Sequence, residues 1–274
     1  MSDQLFASIS QYPLAFAACA VSLLEIPPTL LSHYAPSSFP IEYADVYSTI
    51  LALLLTVLYY ISSAQTARQS FLCLAVSIWA IRLSTFLGSR VKAGFRDSRL
   101  DIFRGSIKRA ARWGFAQALW VFLTLVPVWI GMSSSARMSS LSAVDIAAMG
   151  LCAIGLVIEV LADVQKTAFL KFNKAQPEAA RKLACDVGLF KYSRFPNYFG
   201  EWLFWTSLCL LTWQGSEGLV KMLLPVSSWF VSKVFFLFSI PIAVTAIKRR
   251  ATEGQFAEWC EISIFVPLPR RKKS

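Results

Sequence analysis

Several stretches of about twenty residues carry no ionisable acid or base, and this narrows the folds open to the chain more than any other feature. Residues 46–67 and 113–136 contain no Asp, Glu, Lys or Arg, and residues 5–24 are equally free of them although Pro13 interrupts the run. A helix crossing about 30 Å of hydrocarbon needs roughly 20 mostly apolar residues, and no other open structure satisfies its backbone there. These three segments are expected to be transmembrane helices.

Four further segments extend the pattern. Residues 70–89 carry Arg82, and residues 144–162 carry Asp145 at the start and Glu159 near the end. Residues 198–214 are shorter but rich in Trp and Leu. Residues 219–247 are cut by Lys221, Pro225, Lys233 and Pro241, as one long tilted helix or a short re-entrant piece followed by a span. Counted as one crossing, this gives an all-α polytopic membrane bundle of about seven transmembrane helices, with residues 1–274 as a single membrane domain. A hydrophobic share of 56% and a mean hydropathy of +0.54 agree with that.

The net charge of +11 does not form a nucleic-acid-binding stripe, because 22 of the 27 Lys and Arg fall in three gaps, residues 90–112, 166–194 and 248–273. Basic loops stay cytosolic. Alternating spans put all three on one side, with the C-terminus cytosolic and Met1 opposite; the basic-poor link 32–45, with Glu42 and Asp45, is the weakest fit. The endoplasmic reticulum is the expected membrane, and Arg271-Lys-Lys-Ser274 reads as a solvated basic tail that falls short of a dilysine retrieval signal. The start of the chain has Asp3 and no basic region of a cleaved signal, so the first apolar segment is expected to be retained.

Cys19, Cys73, Cys152, Cys185, Cys209 and Cys260 form no CxxC pair, so neither metal nor disulfide is expected. No Gly-rich phosphate loop is present, and His33, the sole histidine, rules against a His-dependent triad.

Polar residues inside spans are costly unless paired or functional. Glu159 and Asp163 share a helix face with Lys166, either as interfacial charges or as part of a site. Arg82 snorkels or pairs with a carboxylate, and Glu25, beside Pro27 and Pro28, lines a cavity or lies at a membrane face. Basic loop residues serve headgroup attraction and topology as readily as ligand binding.

The segment Gly188-Leu-Phe-Lys-Tyr-Ser-Arg-Phe-Pro-Asn-Tyr-Phe-Gly-Glu201 resembles the pattern G-L-W-x-Y-S-R-H-P-N-Y-F-G-E of the steroid 5-alpha-reductase family, in its subgroup of uncharacterised membrane proteins (DUF1295). Ala162-Asp-Val-Gln-Lys-Thr-Ala-Phe169 is similar to the family's A-D-x-Q-K-x-x-F, and Trp79-Ala-Ile-Arg-Leu83 to its W-x-x-R-L. The resemblance spans roughly residues 70–268, with residues 144–268 as the C-terminal reductase-like region.

The resemblance implies a seven-helix reductase that binds NADPH from the cytosolic side and delivers hydride to a conjugated carbon-carbon double bond in a sterol-like or other apolar lipid. It places Asp163, Asn197 and Glu201 at dinucleotide contacts, with Tyr192, Arg194 and Tyr198 in the same motif. Basic residues at that border, Lys166, Lys182, Lys191, Arg194, Arg249 and Arg250, suit phosphate charge, Arg194 above all. The proton donor toward the substrate carbonyl would come from Tyr59, Tyr60 or Glu25. Two departures stand out: Phe195 replaces the motif's His, and Ile240-Pro-Ile-Ala-Val244 stands where the family has Ile-Pro-Leu-Leu-Glu. A membrane methyltransferase of the isoprenylcysteine carboxyl type, which uses S-adenosylmethionine, and a catalytically silent scaffold or lipid-binding protein are the alternatives.

Overall fold

Long apolar runs should become long helices, and in the computed structural model, which describes residues 4, 9, 11–36, 38–94, 96–133 and 140–267, they do. Helix α1 runs Pro13–Tyr34, α2 Tyr43–Ile61, α3 Ala67–Lys92, α4 Ile107–Thr124, α5 Val126–Ser133, α6 Ala143–Ala175, α7 Pro196–Trp213, α8 Gly218–Leu223, α9 Pro225–Val234, α10 Ile240–Lys248 and α11 Glu253–Cys260. No strand occurs among the described residues. Helices α1, α2, α3 and α6 and the run Gly218–Lys248 are each long and apolar enough to cross a membrane, and α4 with α5, bent by 48°, makes a sixth candidate. Five to six candidate spans are roughly consistent with the expected seven, and the 18-residue α7, which carries Asn197 and Glu201, occupies the shorter segment expected at residues 198–214. The chain is a multi-pass integral membrane protein.

Proline chemistry accounts for most departures from the expected spans. The first helix is not centred on residues 5–24: of that run, residues 5–8 and 10 lie outside the described residues, and α1 starts at Pro13 and continues through Pro27 and Pro28 to Tyr34. Two prolines remove two N–H donors from that turn, while Thr29 Oγ1 donates back to Ile26 O at 2.7 Å. The expected helix 113–136 breaks at Leu125 because Pro127 cannot donate to the preceding turn. Pro241 is accommodated by a π-helical turn, Phe235–Ser239, in which Ile240 N reaches Phe235 O. The run 219–247 is thus one kinked span and not a re-entrant piece plus a span. Helix α6 exceeds expectation, since its 33 residues are about 50 Å long and the part beyond Ala162 adds about 20 Å.

Residue contacts divide the chain into two units, Met1–Ala147 with Leu208–Ser227 and Ala148–Ser207 with Ser228–Ser274. In the first, α1 packs along α4 and α2 along α3. A Cβ on Gly114 would come within 3.1 Å of Ile26 Cα, so only glycine lets α4 approach the proline-broken turn of α1 so closely. Tyr59, Trp79, Trp129, Leu72 and Leu125 are fully buried here. The N-termini of α3 and α6 are joined by a buried ion pair in which Arg68 Nε and Nη2 donate to Asp145 at 2.9 and 2.5 Å. Asp145 also accepts from Ser142 N and Oγ, both at 2.7 Å, capping α6.

The doubtful link 32–45 finds its place in this unit. Glu42 Oε1 accepts from Arg104 Nη2 at 2.6 Å and from Asp97 N at 3.0 Å, so the link lies at the same end of the unit as the basic loop 90–112. Arg96 and Arg104 both donate to Asp101 at 2.9 Å, and these two guanidinium groups hold its carboxyl below the usual carboxylate range.

In the second unit α6 and α7 cross at two glycines. A Cβ on Gly155 would lie 2.7 Å from Gly200 O and Phe204 N, and one on Gly200 would lie 2.6 Å from Glu159 N and Gly155 O. No side chain separates the two backbones there.

Candidate functional site

The glycine crossing determines what stands next to it. Gly200 sits against the backbone of Glu159, and one turn further along α6 Asp163 meets Asn197 of α7, whose Nδ2 donates to Asp163 Oδ1 at 3.4 Å. The antiparallel helices therefore bring together two of the expected dinucleotide residues, 34 positions apart in the chain. Asn197 Oδ1 is buried without a hydrogen-bond partner. An amide oxygen in that state offers an acceptor to a ligand hydroxyl or amide. Glu201, one turn below Asn197 on α7, and Lys166, beyond Asp163 on α6, are both half-buried.

The loop entering α7 is held from two directions. Gly188 takes φ of +55°, and Gln165 of α6 lies so close beneath it that a Cβ would strike the side chain. Gln165 Oε1 accepts from Leu189 N at 2.9 Å, which gives the Gln of the A-D-x-Q-K segment a defined task. On the other flank, Ser193 Oγ donates to Phe265 O at 2.7 Å and Arg194 N donates to Ser263 O at 2.8 Å. Pro196 then starts α7, where its missing N–H costs nothing.

Aromatic rings fix the next layer. Tyr198 is stacked between Phe195, at 5.5 Å, and Phe235 of the π turn, at 4.6 Å, with interplanar angles of 7° and 11°. Phe195 also meets Trp259 edge-on at 6.2 Å and is only 5% exposed. The residue replacing the motif's His is thus a ring in an aromatic column, a role that asks for no donor. Arg194 lays its guanidinium over Trp259, Cζ to ring centroid 4.8 Å, with Nη1 3.5 Å from Cys260 Sγ.

The other expected residues stand apart from this cluster. Tyr192 is exposed at the turn's outer edge, and Arg249 is exposed at the end of α10. Lys166 acts on Cys185, whose thiol burial pushes up while the Lys166 and Lys182 ammonium groups pull it down. Trp259, Ser193 and Phe265 are the residues the sequence reading missed. Trp259 and Phe265 lie some sixty positions beyond the motif, and their falling inside the region of resemblance was the sole signal.

The three proton-donor candidates lie in the first unit and do not form one site. Tyr59 OH donates to Pro13 O at 2.5 Å and packs against Phe16 and Trp129. Tyr60 OH shares a hydrogen bond with Ser70 Oγ at 3.0 Å. Glu25 is fully buried, accepts from Ser48 Oγ at 3.0 Å and has Oε1 without a partner. Twelve residues of α1 separate Pro13 from Glu25, about 18 Å of helix. His33 meets Tyr34 edge-on at 5.1 Å.

Fold and site together define a polytopic α-helical membrane protein with a polar cluster built beside a glycine-tight helix pair. No metal-binding group of His, Cys, Asp or Glu occurs among the described residues. The chain belongs to the DUF1295 family, described as a protein of unknown function, whose model matches residues 39–262. No curated protein and no solved structure matches it.

Proposed function

We propose that the chain is an NADPH-dependent reductase of a conjugated carbon-carbon double bond in a sterol-like or other apolar lipid, with its nucleotide held by the second unit. The observation that carries this reading is Asn197: a buried amide oxygen without a partner, fixed beside Asp163 at a crossing too tight to shift. The likeness of residues 188–201 and 162–169 to the steroid 5-alpha-reductase patterns supports it.

The residues present fit such a ligand. Asn197 offers an acceptor to a hydroxyl or carboxamide, and Asp163 accepts from a second hydroxyl. Arg194 presents guanidinium donors to a phosphate. Bound NADPH supplies the hydride. Within the first unit, Tyr59 and Tyr60 already spend their hydroxyls on Pro13 and Ser70, whereas Glu25 keeps one carboxylate oxygen without a partner. Membrane lipids would surround the apolar faces; the three basic loops support a cytosolic C-terminus, and the endoplasmic reticulum is the membrane in this reading.

Ligand-dependent thermal unfolding of the detergent-solubilised protein tests the reading. A ligand at one hundred times its Kd adds about 2.7 kcal/mol of stability. NADPH is expected to raise the midpoint, and S-adenosylmethionine is not. Asn197→Ala should remove the shift. A response to S-adenosylmethionine alone selects the methyltransferase, and a response to neither selects the scaffold.

A further inference from the structure

Arg194 is a cation with little to do inside the protein. Its Nε is buried without a partner, its Nη1 faces a thiol sulfur, which is a weak acceptor, and no carboxylate pairs with it among the described residues. Guanidinium groups settled on an indole face keep their in-plane donors for a third group. What fixes the seat is the residue before it. Ser193 is fully buried, and its hydroxyl is used twice: it donates to Phe265 O at 2.7 Å and accepts from Phe195 N at 3.2 Å.

With Arg194 N bonded to Ser263 O at 2.8 Å, two consecutive residues are tied to the segment that follows α11, and Phe195 N is held on the Ser193 hydroxyl. That segment begins one residue after Trp259 and Cys260, the two groups in contact with the Arg194 guanidinium. Backbone and side chain of Arg194 are therefore referenced to the same stretch of chain, and the Ser193 hydroxyl is the one side-chain bond that closes the circuit.

We infer that Ser193 is a positioning residue, which locks the 193–195 turn onto residues 263–265 and thereby aims the Arg194 guanidinium at a phosphate group of the bound nucleotide. For its ligand this rests on the reductase reading; for its geometry it does not. Loss of the hydroxyl frees the turn, and Arg194 loses its seat on Trp259 while keeping its charge.

Two measurements on the full chain in detergent test the inference. The first is NADPH binding by wild type, Ser193→Ala, Arg194→Gln and the double variant. Each single change is expected to weaken binding about tenfold or more, the scale of a charge-assisted hydrogen bond, and the double variant should be no weaker than Arg194→Gln. The second needs no nucleotide: the rate at which Cys260 reacts with an anionic methanethiosulfonate, relative to a cationic one, read by mass spectrometry. A guanidinium at 3.5 Å favours the anionic reagent, so the ratio should fall in Ser193→Ala as it does in Arg194→Gln. A variant that is merely unstable accelerates both reagents and leaves the ratio alone. Ser193→Thr, which retains the hydroxyl, should hold both values near wild type. An unchanged ratio in Ser193→Ala, or additive losses in the double variant, overturns the inference. Absence of NADPH binding by wild type removes the reductase reading instead, and the reagent ratio still decides whether Ser193 places Arg194.

Discussion

Alanine at Gly200 should be destabilising, against the general rule that alanine improves a helix. The propensity gain is about 1 kcal/mol. At Gly200 the added Cβ would stand 2.6 Å from both Glu159 N and Gly155 O, well inside van der Waals contact, and both are backbone atoms that no rotamer can move. Relief requires α6 and α7 to separate by several tenths of an ångström, and overpacking of that kind costs about 1–3 kcal/mol. Gly150 is the control, because it lies in α6, the partner helix of the crossing, and has nothing within 4 Å of its ideal Cβ. Gly150→Ala takes the propensity gain without the clash, so the difference between the two variants isolates the packing cost. Reversible denaturant unfolding in detergent, followed by tryptophan fluorescence, reads it as a midpoint difference. Separation of the helices also pulls Asn197 from Asp163, so Gly200→Ala should weaken nucleotide binding where Gly150→Ala does not. The reasoning is refuted if Gly200→Ala is as stable as Gly150→Ala.

Two further outcomes follow from charges in the first unit. Asp145→Ala removes the buried partner of Arg68 and the cap on Ser142, and should cost about 3–5 kcal/mol in unfolding experiments; Asp145→Asn, which keeps part of the cap, should cost less. Asp101 is held below its unfolded pKa by Arg96 and Arg104, so its stabilising contribution is fully present above the unfolded carboxylate value, near pH 4, and is lost as pH falls through the lowered folded value. A pH titration of stability should show that acid limb in wild type and lack it in Asp101→Asn; an identical limb in both counts against the assignment.

Hydropathy made the spans legible because lipid imposes one simple demand on composition, and residues 46–67, 70–89, 198–214 and 219–247 fall close to the helices observed. What it missed was local. A count of charged residues over 113–136 takes no notice of Pro127, yet removing a single donor bends the chain by 48°. Helix α6 outran its apolar segment because Lys166, Lys171 and Lys174 are good helix formers once clear of the hydrocarbon. The site was legible as residue types at four-residue spacing, which put Glu159 with Asp163 and Asn197 with Glu201. Their meeting across two helices was not, since the two glycines that permit it are 45 positions apart and carry no side chain to mark them. Phe195 was legible only as a departure from the motif's His: the rings of Tyr198 and Trp259 that make a phenyl group suitable there become visible only in three dimensions.

The ion pair at Glu42 bears on the order in which this chain can settle during synthesis. Glu42 and Asp45 leave the ribosome as a purely acidic turn between two apolar helices, with no neighbour to anchor them. The guanidinium that receives Glu42 belongs to Arg104, and the backbone amide to Asp97, both made only after the whole of α3 has been added. Until then the first hairpin has nothing to clasp, and its final seat is fixed by residues translated some sixty codons later.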